Sequence, residues 1–141
     1  MLDCLILGDS IAVGTAHQRP ECVSYAHGGW NSYQWNKNFI TKDLSANIVI
    51  ISLGSNDHQY VHTFQELLKL RENVKAEHVY WIKPAGNLAA SNVDIENIQA
   101  MIAIIAKNYG DVVLAIPQIS KDGIHPTGQG YRELAERTRL K

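Results

Sequence analysis

Four short polar segments hold the side chains of this chain that could do covalent chemistry. They are Gly8-Asp9-Ser10, Gly28-Gly29, Gly54-Ser55-Asn56-Asp57 and Asp122-Gly123-Ile124-His125-Pro126. A serine hydroxyl is a weak nucleophile at neutral pH and needs an adjacent base. Histidine suits that task because its pKa lies near the working pH. The imidazole in turn needs a carboxylate that fixes its tautomer and stabilises its cation. Asp122 and His125 stand three residues apart, so one turn of chain can join them. Ser10 must reach them from the other end of the sequence. Attack on an ester carbonyl would create an oxyanion, which requires donors aimed at the developing charge. The candidates are the Ser10 backbone N–H, a glycine N–H from Gly28 or Gly29, and the uncharged side-chain amide of Asn56.

Each segment alone reads as a polar turn. Their positions say more, because each follows a predicted strand. Leu2–Leu7 is an apolar run that stops at Gly8 and turns to small residues after Ser10, as a buried strand entering a helix would. Glu21–Ala26 reads as a second strand. Asn47–Leu53 is continuous and β-branched, the pattern of a central parallel strand buried on both faces. His78–Lys83 and Asp111–Ile116 complete five. Between them lie helical patterns. Thr63 and Glu66 have capping-box spacing ahead of Phe64, Leu67, Leu68 and Arg71, and Ser91 with Asp94 repeats it. Ile95, Ile98, Ile102, Ile105 and Tyr109 form one stripe, which Gly110 stops. Thr127 is the expected N-cap of a last helix reaching Arg137. Alternating strands and helices imply a parallel sheet covered on both faces, with right-handed crossovers. All strand-to-helix loops then open on one edge, where ligands of open α/β sheets bind.

The composition agrees with one ordinary domain. The chain has 141 residues, 45% apolar and 19% charged. A domain of this size buries about 68–70% of its unfolded surface and needs no staples. The net charge of −1 leaves no electrostatic footprint for nucleic acid. No apolar run can span a bilayer. Met1-Leu2-Asp3 leads directly into the first strand and leaves no room for a signal peptide, so the expected setting is the cytoplasm, or export without a Sec signal. Cys4 and Cys22 match no redox or metal spacing and are expected as two reduced, buried thiols.

Taken in order, the four segments resemble the sequence blocks of the SGNH (GDSL-type) hydrolases, over most of the chain. Gly8-Asp9-Ser10 is similar to the first block, Gly54-Ser55-Asn56-Asp57 to the G-x-N-D block, and Asp122 to Pro126 to the D-x-x-H-P block. Gly29-Trp30-Asn31-Ser32 is the better match to the second block, with Gly28 as the alternative glycine. The resemblance implies a flavodoxin-like three-layer α/β/α sandwich with strand order 2-1-3-4-5. It also implies ester hydrolysis through an acyl-enzyme with no metal and no cofactor. Ser10 would be the nucleophile, Asp122 and His125 would complete the triad, and Ser10, Gly29 and Asn56 would hold the oxyanion. The expected substrate is a small-molecule or glycan ester, an acetylated carbohydrate among the choices. Thioesterase or lysophospholipase activity belongs to the same range. A non-catalytic glycan-binding module on the same scaffold is the rival reading. A flavodoxin-like nucleotide binder is disfavoured, because no phosphate-binding glycine loop follows the first strand.

Several other residues have plainer expectations. His17, His58, His62 and His78 read as solvated or structural, although His58 directly follows the third block and is a candidate for the pocket wall. Trp30 is the second candidate for substrate contact, with Tyr33 and Trp35 close by in sequence. Trp81 is expected in the core. Asp9 and Asp57 are expected to brace loops as hydrogen-bond acceptors.

Overall fold

Strands and helices alternate throughout the described residues. The computed structural model describes residues 1–86 and 93–139. The elements are β1 (Leu2–Gly8), α1 (Ser10–His17), β2 (Val23–Ala26), α2 (Ser32–Phe39) and β3 (Ser45–Ser52), followed by α3 (Thr63–Glu72), β4 (Lys75–Lys83), α4 (Ile95–Tyr109), β5 (Val112–Ala115) and α5 (Gly128–Arg137). The strands form one sheet of order β2-β1-β3-β4-β5, and every pairing is parallel.

Strand periodicity divides the core into two clusters. Leu5, Leu7, Val49, Ile51 and Trp81 face one side and meet Leu67, Leu70, Ile98, Ile102 and Ile105. Cys4, Ile6, Ile48, Ile50 and Ile82 face the other and meet Ile11, Ala12 and Leu134. Thus α2, α3 and α4 cover one face while α1 and α5 cover the other, as expected of a three-layer sandwich. β1 and β3 are buried on both faces, which explains their unbroken apolar runs.

Element boundaries shift for local reasons. β2 and β5 are shorter than predicted because each is an edge strand with a partner on one side only. β4 begins earlier, at Lys75, because Lys75 and Ala76 pair with Ser45 and Ala46. The Thr63–Glu66 capping box does not form. Thr63 is already inside the helix, and its hydroxyl donates to Asp57 Oδ2 at 2.8 Å. The Glu66 carboxylate instead accepts from the Asn36 amide at 2.8 Å. Ser91 lies outside the described residues, while Asp94 itself caps α4 by accepting from Asn97 N–H. Gly110 ends α4, and Thr127 caps α5 through Gly130 N–H, both as predicted. Gly8 has φ of 146°, and a Cβ there would lie 1.9 Å from the Ser52 carbonyl oxygen. Only glycine lets the end of β1 press this closely on β3.

The cysteines overturn their expectation, because Cys4 and Cys22 form a disulfide. The parallel register aligns Leu5 with Val23, so the preceding residues face each other across the sheet. Their Cα atoms are 4.8 Å apart, within the span a disulfide bridges. The bond closes a separation of 18 residues. By the chain-entropy argument a loop of that length is worth about 3 kcal/mol. Replacing both cysteines by alanine is therefore expected to lower unfolding free energy by about that amount, read from the urea midpoint. An unchanged midpoint would show that the bond does not constrain the unfolded chain. Among the described residues, no helix is long and apolar enough to cross a membrane.

Candidate active site

The carboxyl edge of the sheet gathers all four polar segments. Asp9 ends the β1 turn and caps α1 by accepting from Ile11 N–H at 3.0 Å. That cap places Ser10 at the first position of α1, half-exposed, with its backbone N–H free of acceptors among the described residues. The first N–H groups of a helix have no partner within it and carry the positive end of its dipole.

Ser10 Oγ lies 2.8 Å from His125 Nε2, across 115 residues of sequence. His125 Nδ1 lies 2.7 Å from Asp122 Oδ2. With Nδ1–H donating to the carboxylate, Nε2 is left bare as the acceptor of the serine proton. The other carboxylate oxygen of Asp122 accepts from the backbone N–H groups of Ile124 and His125, at 2.8 and 2.9 Å, and from Ser120 Oγ at 2.8 Å. Those backbone donors, then His125 and Ser120, hold the Asp122 carboxyl far below the usual carboxylate range. It stays anionic at every pH where such chemistry runs. The loop carries its own rigidity, since Ser120 N–H donates to the His125 carbonyl at 2.8 Å.

The second and third segments are tied together. Asn56 Nδ2 donates to the Trp30 carbonyl at 3.1 Å, which spends one amide hydrogen and leaves the other. Asp57 is 2% exposed and accepts from Ser32 N–H, Ser32 Oγ and Thr63 Oγ1. Gly29 has φ of +81°, a left-handed conformation suited to glycine, and its N–H makes no hydrogen bond among the described residues. The Gly28 N–H is likewise without a hydrogen bond among the described residues, and a Cβ there would sit 3.8 Å from Ser10 Cβ.

Between these loops is a cleft of about 510 Å³, in the range of small-molecule sites. Ser10, His125, Gly29, Asn56 and His58 all line it. Trp30 is not among its lining residues. The ring stacks on His27 with centroids 4.0 Å apart and tilts against Phe39, so the residue contributes its carbonyl rather than its indole. Trp81 is fully buried and His17, His62 and His78 are exposed, as expected, and Trp35 is fully buried as well. Asp9 and Asp57 are the loop-bracing acceptors the sequence suggested. Asn31, Gln34 and Ser120 were missed. An Asn-x-x-Gln spacing that begins two residues after Gly29 was the available signal for the first two. Among the described residues, no group of three or more His, Cys, Asp or Glu side chains could hold a metal ion.

Asp9 is fully buried, and one of its oxygens, Oδ2, has no hydrogen-bond partner. Burial pushes its carboxyl up from 3.8 to about 7, against the hydrogen bonds from Ile11 and Ser52. The folded state therefore holds a proton that the unfolded chain has released between pH 4 and 7. By linkage this makes stability fall as pH rises through that window, then level off above it. Each pKa unit corresponds to about 1.4 kcal/mol, so the expected loss is a few kcal/mol. Asp9→Asn imitates the protonated form. Its stability relative to wild type should therefore improve between pH 5 and pH 8, as measured by urea unfolding. A constant difference across that range would exclude the effect.

The five-stranded parallel sheet of order 2-1-3-4-5, covered by helices on both faces, is a fold shared with solved structures of G-D-S-L proteins. No protein-family profile matches the chain, and no curated protein matches it. Solved structures do match. A GDSL-like lipase from Bacteroides thetaiotaomicron is 21% identical with a TM-score of 0.68, covering 96% of this chain and 84% of that one. A member of the lipolytic G-D-S-L family from Veillonella parvula is 13% identical with a TM-score of 0.70, covering 97% and 96%. The C-terminal catalytic domain of peptidoglycan O-acetyltransferase A from Streptococcus pneumoniae is 13% identical with a TM-score of 0.67, covering 99% and 97%. The chain has the fold of these proteins.

Proposed function

We propose that the protein is a serine esterase that cleaves small carboxylic esters through an acyl-enzyme. The observation that carries this reading is the hydrogen-bonded line from Asp122 through His125 to Ser10, opening into a cleft beside three potential oxyanion donors. In the proposed cycle, His125 Nε2 takes the Ser10 proton as Oγ attacks the ester carbonyl. The negative oxygen is held by the N–H groups of Ser10 and Gly29 and the spare amide hydrogen of Asn56. His125 then protonates the departing alkoxide, which leaves the acyl group on Ser10. Water enters, gives its proton to His125 and attacks the acyl carbon. The carboxylic acid leaves as the proton returns to Ser10.

Val93 and Ile124 are the aliphatic side chains that line the cleft among the described residues, in a lining that is otherwise mostly polar. The likeness to a peptidoglycan O-acetyltransferase domain supports acetyl, and a carbohydrate as its carrier. The Cys4–Cys22 bond favours an oxidising compartment over the cytoplasm anticipated from the start of the chain.

The test uses p-nitrophenyl acetate as substrate and a fluorophosphonate as label. Hydrolysis together with covalent labelling at Ser10 is expected, because only an activated serine reacts with the label. Protein that is folded yet inert to both would be a binding module instead.

A further inference from the structure

Two side-chain amides in the cleft have their orientation imposed by the backbone of α2. Asn31 Oδ1 accepts the Gln34 N–H at 2.8 Å, and Gln34 Oε1 accepts the Asn31 N–H at 2.9 Å. A backbone N–H can only donate, so the atom facing it in each case must be the amide oxygen. The NH₂ group of each amide is then left over. Neither finds an acceptor among the described residues, and both residues line the cleft with Ser10 and His125. The capping box thus serves α2 with its oxygens and turns two fixed donors outward.

Nearby groups narrow what could meet them. No lysine or arginine lines the cleft among the described residues. Its aliphatic side chains among the described residues are Val93 and Ile124. Tyr60 is 80% exposed and lies edge-on to His58, with ring centroids 6.0 Å apart, beside the part of the cleft that His58 lines. An exposed ring beside a polar cleft offers a face to the apolar C–H side of a sugar, while fixed donors suit its oxygens.

We infer that Asn31 Nδ2 and Gln34 Nε2 are specificity-determining donors that receive a neutral oxygen of a polyhydroxylated substrate, remote from the scissile carbonyl. The inference rests on the esterase reading and assigns the part of the substrate that the triad does not touch. Preoriented donors lose little freedom on binding, so they strengthen affinity at low entropic cost. They also discriminate, because a ligand lacking the acceptor leaves them unpaired once water is excluded.

The test compares kcat/KM for a mono-O-acetylated methyl glucoside and for p-nitrophenyl acetate in wild type, Gln34→Glu and Asn31→Asp. Both substitutions keep the oxygen that the capping box needs and remove the NH₂. The glucoside-to-aryl ratio of kcat/KM is expected to fall about tenfold in Gln34→Glu, through a raised KM for the glucoside, and to fall in Asn31→Asp as well. A ratio within twofold of wild type in both variants, with unchanged thermal melting, overturns the inference. Should one variant unfold, the other decides alone. Wild type that cleaves neither ester overturns the esterase reading itself, whereas aryl cleavage with an unmoved ratio overturns only the role of the amides.

Discussion

Ser10→Ala is expected to lower kcat for p-nitrophenyl acetate by about 10⁶-fold, and His125→Ala by a similar factor. The equality follows from the geometry. Ser10 Oγ and His125 Nε2 share one proton across 2.8 Å, and neither has another group to replace its partner. Without the imidazole the hydroxyl keeps its proton, and without the hydroxyl the imidazole has nothing to activate. The double variant should consequently be no worse than either single one, because members that act as a unit do not add. Asp122→Ala is expected to cost less, since the imidazole would remain beside Ser10 in a less certain tautomer. Steady-state rates for the three single variants and the double decide the matter. Full activity in Ser10→Ala would sink the mechanism.

Asn56→Ala is expected to reduce kcat by about 10²–10³-fold while KM changes little. In the proposed cycle the donor serves a negative oxygen that exists only after attack, so its loss would be felt in the transition state and not in substrate binding. The same side chain also ties its loop to the Trp30 carbonyl at 3.1 Å. A purely structural role would loosen the loop and raise KM along with the fall in kcat. The split between the two constants therefore separates the roles. A loss confined to KM would remove Asn56 from the oxyanion site.

Chemistry-bearing residues were legible to the extent that strand-end position announces them. Ser10, Asn56 and His125 each follow an apolar run, and a parallel sheet sends all such ends to one edge. Asp122 was legible because its partner is three residues away. The disulfide was not, since pairing Cys4 with Cys22 requires the register of β1 against β2, which no local pattern encodes. The Thr63 cap failed for a similar reason. Its hydroxyl had a competing acceptor in Asp57, six residues upstream in a loop whose course the helix signal does not describe. Trp30 was named for its ring and contributes its carbonyl, a distinction that residue type cannot convey.

In the proposed triad the base and its orienting carboxylate come from one short turn, while the nucleophile comes from near the opposite end of the chain. The Asp122–His125 pair spans three residues and can form as soon as that loop does. The Ser10–His125 contact closes over 115 residues and waits for α1 and α5 to settle on the same face of the sheet. Closing a loop of that length carries an entropic cost that grows only slowly with length and that packing across the sheet offsets. On the proposed mechanism, chemical competence therefore requires both ends of the chain in place, and neither half of the molecule can possess it.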